Sequence, residues 1–125
     1  MIKLLVFLLP AFLNGQTFES STTVLSRESY LLEFMNRTIE IDQDKIKIIS
    51  QGNEIIDIQT LNIIHTEEKK FGNLGMCYWY YCNSKNIPGT DKLIIVPKEK
   101  NPNQISIFEP SKDGASTKET KIIID

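Results

Sequence analysis

Few side chains in this 125-residue chain could do chemistry. The chain has two cysteines, one histidine (His65) and one tryptophan. Both cysteines, the tryptophan and three of the four tyrosines fall in one stretch, Met76-Cys77-Tyr78-Trp79-Tyr80-Tyr81-Cys82. A thiolate beside an imidazole is a nucleophile with its base. A histidine among carboxylates can ligate a metal. Paired cysteines in an exported protein form disulfides. A run of rings can wall a ligand pocket or carry a sugar.

Most of these chemistries lack their remaining parts. The spacing of Cys77 and Cys82 is C-x4-C, not the C-x-x-C of thiol oxidoreductases. Cys77, between Met76 and Tyr78, reads as buried and inert. His65 stands next to Thr66-Glu67-Glu68, the setting of a surface histidine near solvated acids, and a metal site would need a further, distant ligand. No glycine-rich phosphate loop is present, and Glu67-Glu68 reads as loop charge. The expectation is a non-enzymatic protein with no catalytic, cofactor or metal-binding residue.

The rings themselves point to a strand, because Tyr, Trp and Phe favour a pleated surface with cross-strand neighbours. In a strand Cys77, Trp79 and Tyr81 share one face, and Met76, Tyr78, Tyr80 and Cys82 the other. Both faces are then apolar or amphipathic, so the strand is expected at the centre of the fold. Two readings stay open: a core strand with amphipathic rings at its rim, or a ligand-lining wall made by Tyr78, Trp79, Tyr80 and Tyr81. A Cys77–Cys82 disulfide is possible only if the strand breaks. Five residues of regular strand set the two Cα atoms ~16 Å apart on opposite faces, whereas a disulfide needs about 4.4–6.8 Å. Two buried thiols, or intermolecular pairing by Cys82, are the alternatives.

The segments that must position this strand begin after a leader. Lys3 precedes the apolar run 4–13, and polar residues follow from Asn14. This is the pattern of a secretory signal peptide, residues 1–15, with cleavage expected before Gln16. The run is too short for a membrane span, which takes about 20 apolar residues, and no second run is long enough, so no transmembrane anchor is expected after cleavage. The remaining residues, 16–125, suffice for a single domain. Loss of Lys3 leaves 13 basic against 16 acidic residues, a net charge of −3. With no basic stripe, nucleic acid is excluded as a partner; an envelope or extracellular protein is the class left open.

Period-two alternation dominates the rest. The Ser/Thr-rich 16–24 fits a lead-in or edge strand. Residues 25–35 fit either a helix, through i,i+4 pairs Tyr30/Phe34 and Leu31/Met35, or a strand. Ile39 and Ile41, then Ile46 and Ile48, alternate with charged residues around Asp42-Gln43-Asp44, which predicts a hairpin over 38–49. Strands are also expected at 55–59, with 61–65 continuing it or forming a separate strand, and at 92–96, 104–108 and 120–125. A solvated loop is expected at 67–73, and polar loops able to carry a binding surface at 83–91 and 109–118. Short links force antiparallel pairing. The predicted fold is an all-β antiparallel meander of about seven or eight strands, a small open barrel or a two-layer sandwich. Asn36-Arg37-Thr38 matches the N-glycosylation pattern, which matters only on a eukaryotic secretory route.

The leader ending before Gln16, the Ile-rich strands, Tyr80-Tyr81-Cys82-Asn83, Lys92-Leu93-Ile94-Ile95-Val96 and Ile105-Ser106-Ile107-Phe108 together resemble small uncharacterised secreted proteins of flavobacteria and related Bacteroidetes. The resemblance implies an exported all-β domain, secreted or periplasmic, and carries over no functional residue. The function expected is a binding or structural module of the cell envelope. The alternative is a carrier holding an apolar ligand inside an aromatic-lined barrel. A secreted enzyme or inhibitor ranks last.

Overall fold

Alternating isoleucines make strands throughout the computed structural model, which describes residues 15–26, 30–52, 54–84, 91–110 and 117–125. The strands are β1 (Gln16–Ser26), β2 (Tyr30–Ile41), β3 (Lys45–Gln51), β4 (Ile56–Lys70), β5 (Met76–Asn83), β6 (Lys92–Pro97), β7 (Gln104–Pro110) and β8 (Thr117–Ile123). Each pairs antiparallel with the next, and β1 also pairs with β8 from Thr22↔Ile123 to Ser26↔Glu119. The sheet therefore closes into an eight-stranded barrel. Closure pairs residues 22–26 of β1 with β8, so that edge is no template for other chains. Among the described residues no helix is long and apolar enough to cross a membrane. The leader reading concerns residues of which only Gly15 is described, and residues 85–90 and 111–116 of the two polar loops also lie outside the described part.

Several boundaries differ from the sequence reading. Residues 16–26 are one barrel strand, paired with β2 along its length and with β8 from Thr22 to Ser26. Residues 30–35 are extended in β2, so the helical option for this stretch is not taken. β4 runs unbroken for 15 residues, with a register shift between Ile63 and His65. The expected loop at 67–73 is mostly strand: Glu67 lies opposite Trp79, and Lys69 opposite Cys77. Charge misled there because the outer face of a barrel takes charged residues as readily as a loop does. The chain turns only at 71–75. There the Phe71 N–H donates to the Gly75 carbonyl at 3.0 Å, and Gly75 takes φ +72°, a region that glycine enters at little cost.

Facing residues in antiparallel register share a side of the sheet, which sorts inside from outside. Inside are Ile39 and Ile41 of β2, Ile46 and Ile48 of β3, Leu61, Cys82, Ile94 and Val96, Ile105 and Ile107, and Ile122. Phe18, Ile63, Tyr80 and Ile124 pack against them. Several, including Ile46, Leu61, Ile94 and Ile105, are fully buried. Burial of each such side chain contributes roughly 1.5–3 kcal/mol, and β-branched isoleucine suits the pleat because its χ1 is already restricted.

One step along β2 from Ile39 the inner face becomes polar. Arg37 faces Ser20 of β1 and Ser50 of β3. Its guanidinium donates to Glu33 at 2.7 Å, to Ser50 at 3.1 Å and to the Thr23 hydroxyl. Thr23 and Ser20 are buried.

Candidate functional site

The four candidate ligand-lining rings do not form one wall. Tyr78 and Tyr80 lie opposite Val96 and Ile94, on the inner face. Trp79 and Tyr81 lie opposite Ile95 and Leu93, on the outer face. Placing Trp79 inside a barrel is therefore corrected: consecutive strand residues alternate sides. The tyrosine rings of 78 and 80 sit 6.0 Å apart. Burial, with the nearby Tyr78, Cys82 and Glu68 charges, pushes the Tyr80 hydroxyl up to about 12. Tyr78 lies beneath Lys98, 5.4 Å from its ring centre, and Lys98 pairs with Glu68 at 2.6 Å.

The outer face of β5 is covered as well, which explains why both faces of this strand are apolar. Phe71, from the 71–75 turn, meets Trp79 edge-on at 5.8 Å and Phe108 at 5.7 Å. Ile95, Ser106 and Cys77 are fully buried on this side. The Trp79 indole N–H donates to the Lys69 carbonyl at 3.2 Å, and the Lys69 ammonium stands 4.4 Å over the same ring. A small second core thus lies outside the barrel.

Next to it is a polar network. The Tyr81 hydroxyl donates to Glu67 at 2.9 Å, Lys69 approaches Glu67 at 3.1 Å, and His65 approaches it at 3.3 Å. The His65 ring stacks on Tyr81 at 5.7 Å. Lys69, then Tyr81 and His65, hold the Glu67 carboxyl below its ordinary range. This is a solvated ion cluster on a barrel exterior, where such pairs contribute little to stability. His65 and Cys77 share the outer face but their ladder positions are four residues apart, ~13 Å, so they make no nucleophile–base pair. Among the described residues no group of three His, Cys, Asp or Glu side chains converges to hold a metal.

Cys77 and Cys82 are free, buried thiols on opposite faces of β5. Cys77 donates to the Gly75 carbonyl at 3.5 Å and Cys82 to the Tyr80 carbonyl at 3.6 Å. Burial raises both, Cys82 to about 12, away from the thiolate that reactive cysteines need.

A polar concavity was not foreseen. β1 parts from β8 at Thr22; residues 16–20 pair only with β2. At the parting, Ser20 bonds both the N–H and the carbonyl of Thr22. The C-terminal residues bridge the gap: Asp125 N–H donates to the Glu19 carbonyl at 2.9 Å, and Ser21 donates to the Asp125 carboxylate from its N–H and its hydroxyl. Beside this seam lies a cleft of about 630 Å³, lined by Glu19, Asn36, Thr38, Gln51 and Asn101, with Arg37 among its lining. These residues come from three strands and one loop, so no local motif announces them; only the strand register brings them together. Asn36, singled out by sequence as a glycosylation pattern, is exposed here. A more apolar hollow of about 460 Å³ lies by Ile64, Tyr81, Leu93 and Phe108. The chain matches no protein-family model and no curated protein.

Proposed function

We propose that this chain is an exported, non-catalytic binding module of a bacterial envelope, acting through the outer surface of a packed barrel. The observation that carries this reading is the filled interior. Isoleucines from five strands close on one another along part of the inner face, and Arg37 with its partners occupies the next part. A closed eight-stranded barrel is a shape that carriers use, and this favours the alternative of an apolar cargo. The burial of Ile46, Leu61, Ile94 and Ile105 to the last per cent leaves that cargo little room and weighs against it. The signal-peptide pattern at 1–15 supports export, and the likeness to flavobacterial secreted proteins supports the envelope address.

Intact mass of the natively exported protein, under native and then denaturing conditions, tests the proposal. The expected native mass is that of the chain from Gln16 with no adduct. Extra mass released on denaturation would mean cargo, and the carrier would replace the surface module.

A further inference from the structure

We infer that the cleft where β1 parts from β8 binds a neutral, hydroxyl-rich small molecule, in the simplest case a short saccharide. This rests on the surface-binding reading above and gives it a ligand class.

The cleft has the size of a small-molecule site, for which several hundred Å³ is usual. Four of its hydrogen-bonding residues, Asn36, Thr38, Gln51 and Asn101, are neutral. Asn36, Gln51, Asn101 and Thr38 are among the residues that line it, and among the described residues none of their side chains bonds within the protein. An amide offers donors and an acceptor side by side. That suits a sugar hydroxyl, which is itself donor and acceptor, and suits neighbouring hydroxyls best. The register fixes the groups: Asn36 faces Gln51 across β2 and β3, and Thr38 faces Glu19 across β2 and β1.

The charges around the cleft leave no positive excess. Arg37 is held by Glu33, Ser50 and Thr23, and the Asp125 carboxylate takes both Ser21 donors. Glu19 and Lys100, which remain, oppose each other in sign. A phosphate or a nucleic acid therefore meets no net positive field here. An apolar ligand would bury amides without partners, which is unfavourable. Half-buried Phe18 and Ile124 supply apolar surface for the C–H face of a sugar ring. The walls are tied together: Ile124 N–H donates to the Asn103 carbonyl at 2.9 Å, and Asp125 joins β1. A preformed cleft loses little on binding.

The test is amide NMR on the ¹⁵N-labelled exported chain, titrated with maltotriose, triacetylchitotriose and lactose, and separately with glucuronate and laurate. The expected result is saturable shifts at residues 17–20, 36–38, 51, 101 and 103 with at least one of the three sugars. Asn101→Ala and Gln51→Ala, both at exposed positions, should keep the parent spectrum and weaken that binding by about tenfold. No saturable shift with any sugar, shifts confined to another face, unchanged affinity in both variants, or tighter binding of glucuronate or laurate at the cleft would each overturn the inference. Absence of sugar binding alone leaves the surface module standing. Laurate shifting the interior isoleucines would remove the module itself.

Discussion

Two adjoining regions of the barrel interior are filled by opposite means. Around Ile39, Ile46 and Ile94 the space is taken mostly by branched hydrocarbon. One step along β2, Arg37 lies along the inner wall and is satisfied by side chains from three adjacent strands. The first region gains from leaving water; the second mostly breaks even, because desolvating the ions offsets much of their attraction. The difference teaches that the isoleucines supply stability, while the Arg37 cluster occupies space and fixes how β1, β2 and β3 meet.

The largest expected effect lies in the hydrocarbon region. Ile94→Ala should cost roughly 2–5 kcal/mol, read as a lower urea midpoint. A cost far below that would mean the interior is loose, and the contrast between the regions would fail. Trp79→Ala probes the outer core under Phe71. Because Trp79 is only half-buried, about 1.5–3 kcal/mol is expected, followed by circular dichroism since the only tryptophan is gone. An unchanged midpoint would show that the outer rings are decoration.

The Arg37 cluster should respond differently. Arg37→Met leaves Glu33 without its cation and is expected to cost about 1–2 kcal/mol, at the low end for a stranded ionic partner because Glu33 is one-third exposed. Adding Glu33→Leu should recover most of that loss; no recovery would mean the cluster stabilises the fold outright. The last effect is confined to alkaline pH. Burial lifts Cys82 from 9.0 to about 12, so the unfolded thiol gives up its proton before the folded one does. Stability is then full below about pH 9 and falls as pH climbs toward about 12. Urea midpoints across that window should decline in the parent and decline less in Cys82→Ala.

Strand after strand was legible because isoleucine alternates with charge, and a barrel needs one apolar face per strand. The opposite facing of Cys77 and Cys82 followed from the same period. What escaped was non-local. Nothing near Phe71 says that its ring will cover Trp79 and Phe108, and nothing at Glu67 says that it is strand, since a barrel's exterior and a loop accept the same residues. Tyr30 and Phe34 satisfied both periods, and pairing between β1 and β2 decided for the strand. The cleft at the seam draws Asn36, Gln51 and Asn101 from elements far apart in sequence, so its composition exists only once the barrel has closed.

Interior occupancy is measured most directly by methyl spectra of isoleucine-labelled protein titrated with a fatty acid. A filled barrel leaves the methyls of Ile39, Ile46, Ile94 and Ile105 unmoved at stoichiometric laurate. Saturable shifts of those four methyls would contradict it and make the barrel a vessel.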